Sequence, residues 1–148
     1  MKKGIKEGAE DLMTVDTQRS FDGLKADGTS YRVLVVDDSI IMRKILRKVL
    51  GDERYEICGE AEDGGGVLGL YKSLRPDLVT LDIFMDQVDG ITVLKEILEH
   101  DKSARVLMLS GAEEKKSIIK AISMGARDYV VKPPDRKILL EKIRKILK

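Results

Sequence analysis

The sequence predicts an α/β fold in which a doubly wound parallel sheet of five strands, in the order 2-1-3-4-5, is covered by helices on both faces. Three observations predict it. Apolar runs of strand length alternate with segments whose apolar residues recur at helical spacing, five of each. Most of the runs are continuous, the pattern of strands buried on both faces. Only the second run alternates, which places it at an edge.

Residues 1–30 are polar, rich in Gly and Asp, and hold no sustained period. They read as a mobile N-terminal extension with at most a weak helical turn. Residues 31–148 read as one domain. "YRVLVVDD" (31–38) is a buried strand ending in two acids. "SIIMRKILRKVL" (39–50) sets Ile41, Met42, Ile45, Leu46 and Val49 on one helical face, with Arg43, Lys44, Arg47 and Lys48 opposite. "YEICGEA" (55–61) is the alternating edge strand. "GGGVLGLYKSL" (64–74) forms helix poorly because of its glycines, but Val67, Leu68 and Tyr71 still give a short apolar face. "DLVTLD" (77–82) is a second buried strand, and "GITVLKEILEH" (90–100) aligns Ile91, Leu94, Ile97 and Leu98. "RVLMLS" (105–110) is the fourth strand, followed by a helix that Gly125 closes. "DYVV" (128–131) is the fifth. "KPP" is a rigid turn, and Asp135 caps the last helix.

Composition narrows the function. At 148 residues one core can remove roughly two-thirds of the unfolded surface from water. A net charge of +1 gives no global attraction to nucleic acid or anionic membranes. An aromatic content of 4% without Trp leaves no base-stacking surface. The longest apolar runs are strand-length, and the basic start "MKKGIKEGAEDL" lacks the apolar stretch of a secretion signal. The single cysteine, Cys58, excludes an internal disulfide, fits a reducing cytoplasm and reads as a small structural thiol.

The chemistry sits at the carboxyl ends of the strands, where open α/β sheets bind ligands, at the switch point between strands 1 and 3. Strand 1 ends in Asp37 and Asp38, strand 3 in Asp82, strand 4 in Ser110 and strand 5 in Lys132. A single acid at a strand tip is ordinarily a cap or a solvated loop residue; five polar tips converging on one crevice are not. Three carboxylates raise one another's pKa unless a cation intervenes. Mg²⁺ suits them, since it takes a few oxygen ligands and keeps several waters. With that charge offset, a carboxylate can attack phosphorus, Lys132 can pair with the phosphoryl group, and Ser110 can donate a hydrogen bond to it.

The segments "VLVVDDS", "DLVTLDIFMDQVDG", "LMLSGA" and "GARDYVVKP" resemble the receiver domain of two-component response regulators, and within it the CheY-like stand-alone chemotaxis regulators. The resemblance spans residues 31–148. It implies the flavodoxin-like (βα)5 arrangement and a phosphorylation-activated switch. Asp82 would be the phosphoacceptor, and Asp38 and Asp82 direct Mg²⁺ ligands. Asp37 would act through water, and the backbone carbonyl of Phe84 would complete the set. Ser110 and Tyr129 would be the switch pair. Lys132 would hold the phosphate, with a cis bond to Pro133. The implied partners are a CheA-like histidine kinase, a FliM-like flagellar motor switch protein and a separate phosphatase. The chain would be a cytoplasmic monomer, without nucleic acid or membrane, catalysing only its own phosphorylation and slow dephosphorylation.

Some positions depart from the family. Asp86 stands where Pro is common, Ser110 replaces the commoner Thr, and Pro134 takes the place of a frequent aromatic. Phe84 and Ala112 occupy the positions that modulate water access to the acyl phosphate; a bulky ring and no acid or amide imply slow self-dephosphorylation. Two other readings compete. One is a phosphorelay intermediate. The other is an Mg²⁺-dependent phosphohydrolase, which would need an acid two residues beyond its nucleophile; Ser39 and Phe84 stand there instead. "GGGVLG" (64–69) fits a dinucleotide pattern but follows the wrong strand, and no strand ends in an acid about 20 residues on. His100 ends a helix, where a positive charge is favoured, and is not read as a phosphodonor or ligand. Lys115, Lys116, Lys120, Lys142, Arg144 and Lys145 read as solvated faces of the last two helices, which in the family carry the output surface.

Overall fold

The computed structural model describes residues 20–148. Its strands are β1 (Arg32–Val36), β2 (Glu56–Ala61), β3 (Leu78–Asp82), β4 (Val106–Ser110) and β5 (Asp128–Val131). The helices among these residues are α1 (Ile40–Asp52), α2 (Val67–Leu74), α3 (Gly90–His100), α4 (Lys115–Met124) and α5 (Arg136–Leu147). All strand pairs are parallel and the order is β2-β1-β3-β4-β5. This is the flavodoxin-like arrangement the sequence predicted.

The period of two along each strand divides the core. Leu34 and Val36 of β1, Val79 and Leu81 of β3, and Val106 and Met108 of β4 pack with α2, α3 and α4. Val33, Val35, Leu78, Leu107 and Leu109 face the other way, onto α1 and α5. Each fully buried Leu contributes about 2 kcal/mol of transfer free energy, so both layers hold the strand tips in register. Caps fix where the helices begin. Ser39 Oγ accepts from the Met42 amide, Asp89 Oδ1 from Thr92 and Asp135 Oδ1 from Ile138. Gly125 closes α4 at a φ of 124°, a left-handed conformation that an L side chain resists.

Two expectations require correction. On α1, Ile41 is 67% exposed while Arg43 is buried; the helix turns its first-turn arginine toward β1 and β2, where it finds acceptors. At the N-terminus, residues 21–30 are tied to the body of the fold. Gly23 N–H donates to Glu53 O and Tyr31 N–H to Gly23 O, both at 2.8 Å. Leu24 and Ser30 form an antiparallel bridge, and the Arg54 guanidinium lies 4.2 Å from the Phe21 ring centre. The remainder of the expected extension, residues 1–19, lies outside the described residues.

The Cys58 thiol donates to Val33 O at 3.5 Å and burial raises its pKa, which matches a structural thiol. The glycines of residues 64–66 serve packing. A Cβ on Gly64 would come within 2.8 Å of Val88 and Val93, so this loop presses against the β3–α3 loop. No helix among the described residues is long and apolar enough to cross a membrane.

Candidate functional site

The carboxylates of Asp37, Asp38 and Asp82 offer oxygen atoms that all lie within 4.8 Å of one another. β1 delivers the first two and β3 the third, from adjacent strands at the switch point. Asp37 is fixed on every side. Its amide donates to Ala61 O, its Oδ1 accepts from the Ser39 amide at 2.9 Å, and its Oδ2 lies 2.9 Å from Lys132 Nζ. The same ammonium stands 3.0 Å from Asp82 Oδ2. Lys132 reaches this point because its amide donates to Ser110 O at 2.7 Å, binding the ends of β4 and β5 together. Its bond to Pro133 is cis, as the resemblance implied.

Asp82 is only 3% exposed. Burial pushes its pKa up to about 7, Lys132 opposes this, and the charges of Asp37 and Asp38 add to the rise. Burial also works against the charge on Lys132, but its bonds to the two acids outweigh that and hold its pKa above the ordinary value. One ammonium faces three carboxylates, so the pocket carries surplus negative charge in oxygen donors alone. That donor set fits a hard divalent cation such as Mg²⁺, with Asp38 the most exposed of the three.

The raised pKa has a measurable consequence. A carboxyl shifted upward on folding contributes stability that is complete below about pH 4 and is lost as pH rises through about 7. In chelator, the thermal midpoint is therefore expected to fall between about pH 5 and about pH 8. Asp82→Asn flattens that fall, and saturating Mg²⁺ reduces it in the unaltered chain. An equal slope in the variant contradicts the assigned cause.

Around the acids, Ser110 Oγ is buried, 1% exposed, and has no protein hydrogen-bond partner among the described residues. A cavity of about 300 Å³ lies between Ser110 and Tyr129, lined also by Glu114, Ile118 and Val131. Tyr129 is 37% exposed. Lys142 sits 4.5 Å from its ring centre and donates to its carbonyl, so this lysine does more than solvate the α5 face. Phe84 is 60% exposed on the loop after β3. Asp86 is exposed on the same loop, and Asp89 caps α3.

The predicted acids and Lys132 thus gather at one site, while Ser110, at the tip of the neighbouring strand β4, lines a cavity with Tyr129. Sequence reasoning missed two neighbours. Glu114 is buried and accepts from the Gly111 amide at 2.6 Å, a role the helical pattern of residues 113–125 did not show. Arg43 donates to Asp37 O at 2.7 Å. For Arg43 the available signal was the acidic pair Glu60 and Glu62 at the end of the edge strand, within reach of its helix.

Fold and pocket together define a doubly wound α/β protein with an acidic, cation-suited crevice at its switch point. The chain belongs to the response regulator receiver domain family, whose model matches residues 33–144. It is 46% identical over 128 residues to the chemotaxis protein CheY of Treponema pallidum, covering 85% of this chain and 89% of that protein. It is 42% identical over 118 residues to CheY of Bacillus subtilis, covering 80% and 98%. Among solved structures, a chain of the CheX–CheY–BeF3–Mg²⁺ complex from Borrelia burgdorferi matches with a TM-score of 0.84 at 35% identity, over 88% of this chain and 99% of that one.

Proposed function

We propose that this chain is a chemotaxis-type switch in which Asp82 accepts a phosphoryl group from a CheA-like histidine kinase with Mg²⁺ bound. The observation that carries the reading is the convergence of three carboxylates within 4.8 Å, two of them sharing the Lys132 ammonium. An Asp82 carboxylate oxygen attacks phosphorus while the bond from phosphorus to the donor nitrogen breaks and its electron pair stays on nitrogen. Asp38 and Asp82 directly, Asp37 through water and the Phe84 carbonyl would hold Mg²⁺, which when bound would offset charge on the phosphoryl oxygens. Lys132, already beside Asp82, pairs with the incoming group. The unpartnered Ser110 hydroxyl is free to donate to it, and the cavity beside Ser110 gives the Tyr129 ring room to turn inward.

The signal then leaves through the surface of α4, β5 and α5. Ile119, Ile122, Val131 and Ile138 are exposed there around Tyr129, an apolar patch suited to a protein partner. A FliM-like motor switch protein is the target this reading favours, and the chain works as a cytoplasmic monomer. The two CheY relatives support chemotaxis, and the CheX–CheY complex supports docking of a second protein, here a separate phosphatase.

The test is exposure to a small phosphodonor with and without Mg²⁺, followed by peptide mapping. Modification of Asp82 that depends on Mg²⁺ is the expected result; modification elsewhere overturns the assignment. Binding of the modified chain to a motor protein or to a histidine phosphotransfer domain separates motor output from relay. The exposed ring of Phe84 sets a further expectation. Phe84→Asn, which places an amide where water must approach the acyl phosphate, speeds phosphate loss by about tenfold. An unchanged or slower rate rejects this role for Phe84.

A further inference from the structure

We propose that Arg43 is a positioning residue for the cation site: it sets the peptide joining Asp37 to Asp38 and thereby the placement of the Asp38 carboxylate. The inference rests on the reading of the three acids as a Mg²⁺ site.

A buried guanidinium is costly unless its donors are satisfied. Arg43 is buried, and its fork is divided between two kinds of acceptor. Nε donates to Glu60 Oε1 at 3.1 Å, and Glu62 Oε2 lies 3.9 Å from the other side of the group. Nη1 donates to the Asp37 carbonyl at 2.7 Å. Glu60 is itself held from below by Arg47, whose Nε stands 2.6 Å from Oε2. The guanidinium is therefore anchored on the edge strand and aimed at the turn between β1 and α1.

The target of that aim matters. The Asp37 carbonyl belongs to the peptide group that ends at the Asp38 nitrogen, and this group has only one orientation for a given carbonyl direction. Asp38 is exposed, and its side chain makes no hydrogen bond or ion pair with the described residues. Its carboxylate stays near those of Asp37 and Asp82 because the backbone puts it there. Ser39 and Lys132 hold the Asp37 side chain, but among the side chains of the described residues only Arg43 holds the 37–38 peptide. Removing the guanidinium frees that peptide to turn and take the Asp38 oxygen out of the cluster. Groups that orient ligands in this way commonly change metal affinity by about 10- to 100-fold.

Calorimetric titration of the full chain with Mg²⁺ tests the proposal. Arg43→Met keeps the apolar stem and removes the donors; its dissociation constant for Mg²⁺ is expected to rise about tenfold or more. Phosphorylation by a small phosphodonor is expected to recover at saturating Mg²⁺, since Asp82 and Lys132 are untouched. A merely structural arginine would lower the thermal midpoint without moving the Mg²⁺ affinity measured well below it. Glu60→Ala, which withdraws the anchor from outside the pocket, is expected to weaken Mg²⁺ by a smaller factor. It carries the test alone if Arg43→Met does not fold. Unchanged Mg²⁺ affinity in a folded Arg43→Met, or in Glu60→Ala when that is the only folded variant, overturns the proposal. If the unaltered chain binds no Mg²⁺, the site reading falls and the proposal with it.

Discussion

Asp82→Asn is expected to lose phosphorylation by a small phosphodonor almost completely, by about three orders of magnitude or more, while the chain stays folded. A carboxylate oxygen carries the electron pair that attacks phosphorus; an amide of the same shape offers a weaker nucleophile and one fewer charge for a cation. Stability moves the other way. Burial penalises the ionised acid, and the charges of Asp37 and Asp38 add to that penalty. The neutral amide relieves both, so in chelator at about pH 8 the variant is expected to melt higher than the unaltered chain. A variant more stable yet inert cannot be dismissed as misfolded. Incorporated phosphate, its acid and base lability, and phosphodonor-enhanced partner binding are the measurements. Retention of all three in Asp82→Asn would reject Asp82 as the acceptor. The phosphohydrolase reading fails on a different residue, since Phe84, with its ring turned to solvent, occupies the position of the acid such an enzyme needs.

Most of this site was legible because strands declare their ends. β1, β3 and β4 are buried runs, apolar along their length but for Arg32 and Thr80, and a polar residue closing such a run falls at the sheet's carboxyl edge. Asp37, Asp82, Ser110 and Lys132 could therefore be placed together without any knowledge of their contacts. Helix faces are less informative. A helical period separates two faces, but α1 begins beside a polar turn, where a charged side chain finds acceptors and an apolar one does not. So Arg43 goes inward to Asp37 O and Glu60, and Ile41 goes outward. Residues 21–30 were illegible for a related reason. Their anchors are backbone bonds to Glu53 and an arginine laid on Phe21, which leave no period in the sequence. Buried Glu114 is the same case: its acceptor role toward the Gly111 amide depends on how the β4–α4 loop folds back.

Gly90→Ala is expected to destabilise the chain by about 3 kcal/mol and to lower the thermal midpoint by about 10 °C. Gly90 opens α3 directly against the end of β3. A Cβ there would lie 2.1 Å from the Asp82 carbonyl oxygen and 2.8 Å from Ile83 Cα, and the Gly90 amide donates to Ile83 O at 2.6 Å. These neighbours are backbone, so no side chain can swing aside to admit a methyl group. Either α3 backs away from the sheet, opening the core around Val93 and Leu94, or β3 shifts and carries Asp82 with it. Both routes cost stability, and the second also weakens Mg²⁺ binding. Gly69→Ala is the control. Gly69 lies within α2 with nothing within 4 Å of its Cβ position, so alanine there is expected to stabilise by about 0.5–1 kcal/mol through helix propensity. Denaturant unfolding of the two variants measures opposite signs from one chemical change. If Gly90→Ala falls within about 0.5 kcal/mol of the unaltered chain, the close seating of α3 on the tip of β3 is not what holds the acceptor carboxylate in place.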